Sequence, residues 1–275
     1  MDRSTNLKSI INSFKYDDGK PIVKKTDKVS KTTKANLESS KLKDYEDLQP
    51  SLDDNLKLLF IGFNPGVQSS IQQHHYAHFT NLFWKLFNES GLLINVLQSL
   101  KTPIEDVVKE DPLLKELVKP ISDKKYKTFV KPVHDFEIVK YKIGFTDLVL
   151  RCTKTAQELT LSEKLDNVPR LFREFQESRS TFIVFVGKGI WEIIVKYITN
   201  LLKTKIKLTK DNFHWGKQMP GEDVTYNMIL EKLNDMFGYR HNIYVFPNTS
   251  GLVTSLKYDE KLQLWNDLSQ EILNS

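Results

Sequence analysis

The stretch LLFIGFNPGVQSSIQQHHYAHFTNLFW, Leu58–Trp84, leads from an apolar run through a polar loop into a second apolar pattern. Leu56–Phe63 is nearly all apolar, which is typical of a strand buried on both faces. Further on, apolar residues recur at i, i+3, i+4, i+7 and i+8, the spacing of one helix face: Phe79, Leu82, Phe83, Leu86 and Phe87. Gly91 is a suitable stop for that helix. The stretch therefore predicts a polar pocket at the end of a strand.

The rest of the chain alternates strand and helix patterns around this stretch. Predicted strands follow at Tyr141–Leu150, Thr181–Val186 and Ile243–Phe246. Predicted helices are Leu161–Ser178 with Thr160 or Ser162 as cap, Ile190–Leu202 and Tyr258–Leu273. This order predicts an α/β protein, a three-layer α/β/α arrangement around a mainly parallel sheet. Ligands of such sheets bind beyond the strands' carboxyl ends, where the loops Asn64–Tyr76 and Pro247–Thr254 fall.

Composition limits the class of protein. The chain has 275 residues, 40% of them apolar and 27% charged, which suits one or two globular domains. It contains no apolar run long enough to span a bilayer, and its N-terminus lacks the apolar core of a secretory signal, so we expect an intracellular protein. Cys152 is the single cysteine, which excludes an intrachain disulfide and a four-cysteine metal site.

The net charge of +5 comes from the N-terminus. Residues 1–45 hold eleven basic and six acidic residues (11 − 6 = +5), with few apolar ones. We predict that residues 1–50 form a disordered, lysine-rich tail. Three roles remain open for it: non-specific contact with nucleic-acid phosphates, nuclear import, or solubility.

Several chemistries are disfavoured by residue type. The loop after the first strand is neither a P-loop nor GxGxxG, and no GxSxG elbow is present. The histidines His74, His75 and His78 lack a neighbouring carboxylate or cysteine, so capping or phosphate contacts are favoured over a metal site, and we predict no metal or cofactor. What remains is a pocket of asparagine, tyrosine and backbone amides.

Four motifs resemble one family. Gly62, Asn64, Pro65, Gly66, Ser69, Tyr76, Asn81, Phe83 and Trp84 follow the GINPG…N-x-FW pattern of mismatch-specific uracil/thymine DNA glycosylases, in the uracil-DNA glycosylase superfamily. Ile143–Arg151 is similar to the family's GFTN-x-VER strand, Trp215–Gln218 to WGKQ, and Pro247–Leu252 to PNPSGL. The resemblance implies a uracil-DNA glycosylase-like fold over 51–275, with insertions near 95–140 and 203–240 that we interpret as irregular.

The resemblance also implies site roles. Asn64 would position the water that meets an oxocarbenium-like sugar, Asn248 would face the sugar or that water, and Tyr76 would stack on a base swung out of the duplex. Phe63 and Gly66 would line the base site, where loop N–H groups hold the developing charge on the base. Ser69 would bind base or phosphate, or else cap a helix.

The second loop is implied to be a wedge that fills the gap left by the flipped base and reads the opposing guanine. Leu252 would be its tip, within Gly251, Leu252, Val253 and Thr254, although a packed core leucine is the alternative. Lys188 and Lys217 are candidates for phosphate contacts or are plain surface lysines. Thr254 stands where the family usually has arginine, which weakens the expected guanine contact.

Asp147 is the departure with most chemical consequence, because a carboxylate there could serve as an auxiliary base or merely pair with a lysine. The resemblance implies a monofunctional glycosylase that excises uracil opposite guanine, with thymine and ethenocytosine as further candidate substrates. A non-catalytic mismatch- or damage-binding homologue is the alternative. We expect a monomer with a nuclear location and no contact with a membrane. The expected partners are double-stranded DNA with a mismatched or damaged pyrimidine and, through the tail, a repair factor.

Overall fold

A computed structural model describes residues 45–101, 103–122, 125–251 and 256–275. Residues 1–44 of the tail predicted over residues 1–50 lie outside these ranges. The prediction is wrong for its last residues, because Leu48 is 1% exposed and belongs to the core. The strands are β1 Leu58–Gly62, β2 Val118–Ser122, β3 Lys125–Thr128, β4 Ile143–Asp147, β5 Phe182–Val186, β6 Gly216–Lys217 and β7 Asn242–Phe246. The helices are α1 Val67–Gln72, α2 Phe83–Glu89, α3 Leu92–Ser99, α4 Ile104–Glu110, α5 Pro112–Leu117, α6 Leu161–Ser178, α7 Lys188–Leu201, α8 Val224–Phe237 and α9 Tyr258–Leu273, with 3-10 turns at Pro132–His134, Ile138–Tyr141 and Ala156–Glu158.

Five strands form the central sheet in the order β4-β1-β5-β7-β6. The first four are parallel, and the short edge strand β6 runs antiparallel to β7. Leu58 of β1 pairs with Ile143 of β4 and with Phe182 of β5, so the strands begin and end nearly level. Their carboxyl ends therefore meet at one edge of the sheet, as predicted.

Helices cover both faces of the sheet. Side chains alternate along β1, so Phe60 packs on one face and Ile61 on the other. On the Phe60 face the ring stacks near Trp265 of α9, with centroids 5.3 Å apart, beneath α2 and α3. On the Ile61 face lie α6, α7 and α8. This confirms the predicted three-layer α/β/α arrangement.

Local signals set most helix ends. Thr160 Oγ1 accepts from the Glu163 N–H (3.1 Å) and begins α6, which confirms the predicted cap. Gly91 has a left-handed φ of 66° and separates α2 from α3, so the predicted stop is also confirmed. The helix start predicted at Phe79 is wrong, because α2 begins at Phe83. Asn81 Oδ1 accepts from the Phe83 N–H (3.0 Å), and Phe79 stays outside the core.

Two segments predicted to be irregular contain regular structure. Between 95 and 140, α4 and α5 precede the β2–β3 hairpin, and Leu114 and Leu117 are fully buried against the core. Between 203 and 240 lies α8, begun by Asp223, whose carboxylate accepts from the Tyr226 N–H (3.0 Å), and ended by Gly238. These segments add to the two covering layers. None of the helices that the structure describes is both long and apolar enough to cross a membrane.

Candidate active site

Two loops meet at the carboxyl edge of the sheet. One follows β1 and runs to α2, and the other follows β7. The Leu82 N–H donates to the carbonyl of Thr249 (2.9 Å). A Cβ added to Gly251 would lie 2.9 Å from the Thr80 carbonyl oxygen, so only glycine fits against the first loop there. The loops predicted to share a site are thus in direct contact.

Asn64 is held in a single orientation. Its Nδ2 donates to Thr153 Oγ1 (2.7 Å), to the Arg151 carbonyl (3.1 Å) and to the Pro65 carbonyl (3.3 Å). Because carbonyl oxygens only accept, the amide nitrogen must face this cluster. The Thr153 hydroxyl in turn donates to the Thr155 carbonyl (2.8 Å), which leaves its oxygen free to accept. Asn64 Oδ1 is consequently available as an acceptor for a ligand or a water.

The Tyr76 ring packs on a platform of buried aromatic side chains. It stacks on Phe83 with centroids 3.8 Å apart and an interplanar angle of 2°. Phe83 is fully buried between Phe60, at 4.9 Å, and Trp265, at 5.1 Å, so the platform under Tyr76 is fixed by the core. The Tyr76 ring itself is half-buried, and its hydroxyl has no hydrogen-bond partner among the residues described. This arrangement suits a ring that stacks on another flat ring.

Asp147 ends β4 directly beside Gly62 of β1. A Cβ on Gly62 would overlap with Asp147 Oδ1 and would lie 3.3 Å from the Tyr76 hydroxyl, so the carboxylate and the phenol converge over this glycine. Burial raises the pKa of Asp147 to about 6, although the charges of His75 and Arg170 act to lower it. Burial and the Asp147 charge together raise the pKa of Tyr76 well above its usual value. The phenol is therefore neutral, while the carboxyl group titrates near neutrality.

An ion pair between the partly buried Arg170 and the buried Glu174 supports the end of β4 from the other face of the sheet. Arg170 Nη2 donates to the carbonyls of Asp147 (2.6 Å) and Leu148 (2.9 Å), and Nη1 pairs with Glu174. Glu174 also accepts from Thr146 Oγ1 (2.7 Å), and its burial raises its pKa. Sequence reasoning missed this cluster, because an arginine and a glutamate four residues apart on a helix are ordinarily a surface pair.

A family model described as the Uracil DNA glycosylase superfamily matches residues 49–269. The chain belongs to this superfamily. The match spans both loops and every described residue of the site above, which confirms the resemblance read from the four motifs.

One known protein is similar over most of this chain. It is the G/U mismatch-specific uracil DNA glycosylase of Schizosaccharomyces pombe (strain 972 / ATCC 24843), 24% identical over 250 residues. The aligned region covers 88% of this chain and 61% of the relative, so the chain spans about three-fifths of the relative's length.

Other predicted residues of the first loop have structural surroundings. Phe63 packs on the opposite face of the sheet from Tyr76, with Lys164 Nζ 5.3 Å from its ring centroid, which does not favour a base contact by its side chain. Ser69 Oγ accepts from the Ala77 N–H (3.2 Å) and braces the loop. Gly66 precedes α1, and a Cβ there would meet no atom within 4 Å, so space for a ligand adjoins its backbone.

The histidines bind a carboxylate that sequence reasoning did not identify. Nδ1 of His74 and Nδ1 of His75 each lie 2.8 Å from an oxygen of Asp135, which is fully buried and also accepts from the His75 N–H (2.7 Å). Within the described ranges, no three His, Cys, Asp or Glu side chains are grouped so as to hold a metal. These histidines shape the loop that carries Tyr76.

The second loop is braced at its base. Asn248 Oδ1 accepts from the Ser250 N–H (2.7 Å), and its carbonyl accepts from Lys261 Nζ (2.9 Å), a lysine of α9 that is only 2% exposed. Among the residues described, the Asn248 side-chain nitrogen has no hydrogen-bond partner, so it can bind a ligand. Leu252, Val253 and Thr254 lie outside the described residues, so the wedge role stays a prediction.

The two predicted phosphate ligands differ in position. Lys188 opens α7 at the carboxyl edge, 3.5 Å from Glu192 Oε1 and 4.8 Å from the centroid of Phe213, where a contact with DNA is feasible. Lys217 forms an ion pair with Glu271 and lies opposite Tyr244, in the middle of β7 rather than at its end. Its surroundings therefore do not support a phosphate contact.

Proposed function

We propose that this protein is a DNA glycosylase that hydrolyses the bond between uracil and its deoxyribose in G·U mispairs and leaves an abasic site. Membership of the uracil DNA glycosylase superfamily supports the reaction class, and the name of the Schizosaccharomyces pombe relative supports the G·U substrate. The single observation that carries the proposal is the fixed amide of Asn64, which leaves one acceptor oxygen free at the loop edge.

In this reaction Asn64 Oδ1 accepts a hydrogen bond from a water molecule and orients it toward the C1′ atom of the flipped nucleotide. The bond from C1′ to N1 of the base breaks, and its electron pair leaves with the base. The water oxygen then bonds to C1′, and one proton of the water is transferred to a general base of the protein. The departing pyrimidine anion takes up a proton, so the products are free uracil and an abasic sugar.

The base is held by stacking rather than by a charged side chain. Tyr76, backed by Phe83 at 3.8 Å, offers a flat ring of low mobility to the pyrimidine. The open space beside the Gly66 backbone allows the loop amides to approach the ring oxygens, where charge develops as the bond breaks. Uracil is a better leaving group than thymine, so we expect uracil to be excised fastest, with thymine and ethenocytosine opposite guanine as slower substrates.

Asp147 is proposed as the group that takes the proton of the water. A carboxyl group with a pKa of about 6 is ionised at neutral pH and still holds a proton well enough to act as a general base. It lies over Gly62, two residues before Asn64, and the Arg170 side chain fixes the backbone that carries it. No Schiff-base step is proposed, so the enzyme would be monofunctional.

The proposal is tested with duplexes that carry G·U, G·T, A·U or ethenocytosine opposite guanine, followed by alkaline cleavage of abasic sites. Wild-type protein should produce strand breaks fastest with G·U. Asn200→Ala, an exposed asparagine on α7, serves as control and should match the wild type. Binding to the G·U duplex without strand breaks would contradict the proposal and support a non-catalytic homologue.

A further inference from the structure

Phe79 is the most exposed large apolar side chain in the described part of the chain, with 91% of its surface accessible to solvent. The next most exposed, Val224, reaches 71%. Single exposed apolar residues are common on protein surfaces, so exposure alone decides nothing. The position of Phe79 and the way its loop is held give the exposure a meaning.

An ordered turn presents the Phe79 ring to solvent. The His78 ring stacks on Phe79 with centroids 4.8 Å apart and an interplanar angle of 23°. His78 Nδ1 lies 2.9 Å from Thr80 Oγ1, and the Asn81 N–H donates to the His78 carbonyl (2.8 Å). The phenyl ring is thus supported on one side by a histidine that is itself tied to the turn.

The turn lies between the pocket and the second loop. Tyr76 of the aromatic platform precedes Phe79 by three residues. Thr80, the next residue, is in contact with Gly251, since a Cβ on that glycine would meet the Thr80 carbonyl oxygen and Oγ1, both at 2.9 Å. An exposed aromatic ring therefore stands at the carboxyl edge of the sheet, between the proposed base pocket and the loop predicted to enter DNA.

We propose that Phe79 is a second intercalating side chain, which enters the base stack beside the flipped nucleotide and stacks on the neighbouring base. This inference rests on the proposed function. Phenylalanine is among the side chains that wedge between base steps, and an aromatic ring stacks on any base because each base has a π-face. The contact would stabilise the opened duplex without selecting its sequence.

The surroundings of the Phe79 ring favour a nucleic-acid base as its binding partner. Phe79 is flanked by the polar His78 and Thr80, which suits a narrow contact within a groove rather than a broad apolar interface. Its backing by His78 lowers the rotational freedom that would be lost on stacking.

The test compares Phe79→Ala and Phe79→Trp with wild-type protein. Dissociation constants are measured for a G·U duplex and for a duplex with an abasic site opposite guanine. A 2-aminopurine next to the uracil reports unstacking by its fluorescence. Leu201→Ala is the control, because Leu201 is 50% exposed and ends α7, about 20 Å along the helix from the carboxyl edge.

Phe79→Ala should weaken duplex binding roughly 5- to 150-fold, as expected for one base–aromatic stack, and abolish the 2-aminopurine signal. Phe79→Trp should retain both, and Leu201→Ala should change neither. Binding by Phe79→Ala within twofold of the wild type, or an unchanged 2-aminopurine signal, would overturn the inference.

The two proposals fail separately in this experiment. If the wild type cleaves the G·U duplex, and Phe79→Ala binds it with the same affinity and the same 2-aminopurine signal, the glycosylase proposal stands and the intercalation proposal fails. If Phe79→Ala loses affinity but the wild type never cleaves the duplex, the intercalation proposal stands and the glycosylase proposal fails. Absence of any binding to either duplex would overturn both.

Discussion

Replacing Asp147 by asparagine should stabilise the protein at neutral pH. The residue is 5% exposed, and burial raises the pKa of its carboxyl group from 3.8 to about 6. A raised folded-state pKa means that the protonated form is favoured in the fold, so stability is lost as pH rises from about 4 through 6. At 1.36 kcal/mol for each factor of ten, the pKa difference of 6 − 3.8 corresponds to about 3 kcal/mol above pH 7.

Asparagine has nearly the same shape and no charge, so Asp147→Asn removes this penalty. We expect a gain in the free energy of unfolding of about 3 kcal/mol at pH 7.5 and roughly half of that at pH 5, as the linkage relation gives for these two pKa values. Urea unfolding at both pH values measures it. Asp54→Asn, at an exposed position, should change stability by less than about 0.5 kcal/mol.

A loss of stability in Asp147→Asn at pH 7.5, or an equal gain at both pH values, would refute this reasoning. The expected gain also carries a functional meaning, because proteins keep destabilising groups mainly where activity needs them. A stabilised but slower variant would match a carboxylate retained for its chemistry.

Three further predictions concern the same edge of the sheet. In a pH–rate profile, the single-turnover rate of uracil release should rise with pH through about 6 in wild-type protein and stay low and nearly flat in Asp147→Asn. Equal profiles would show that Asp147 is not the general base. Thr153→Val removes the 2.7 Å hydrogen bond that orients Asn64, so the rate should fall about tenfold with DNA affinity unchanged, and a change in affinity alone would contradict this. Arg170→Met leaves Glu174 buried without its partner and should lower the free energy of unfolding in urea by about 3–5 kcal/mol. Arg170→Met combined with Glu174→Leu should recover most of this stability. An unchanged free energy of unfolding in the single variant would show that the pair is not desolvated.

The main strands and the last helix follow closely from the sequence. Continuous apolar runs locate β1, β5 and β7 to within about two residues, because strands of a parallel sheet are covered on both faces and need apolar side chains throughout. The predicted helix Tyr258–Leu273 coincides with α9. Its apolar residues repeat at helical spacing and pack on one layer of the core.

The errors arise where tertiary contacts override a local pattern. Phe79 continues the apolar spacing of α2, yet Asn81 caps the helix at Phe83 and the Leu82 N–H is bound to Thr249, some 170 residues away. No local sequence pattern predicts that hydrogen bond. The helix α8 was missed for a related reason, since its capping residue Asp223 was not recognised within a polar, glycine- and proline-containing approach.

For the site, the residue types could be predicted and their partners could not. Asn64, Tyr76 and Asp147 follow from strand ends and motif positions. Thr153 and Arg170 hold two of them in place, but they lie 89 and 23 residues from the groups they bind. Contacts over such separations depend on strand order, which the sequence does not display.

The most direct test of the account is the single-turnover release of uracil from a G·U duplex by Asn64→Ala, with duplex affinity and unfolding measured on the same sample. If Asn64 Oδ1 orients the attacking water, the rate should fall about 100-fold or more while affinity and stability stay close to those of the wild type. Uracil release by the folded variant at a rate within about twofold of the wild type would contradict the central role given to Asn64.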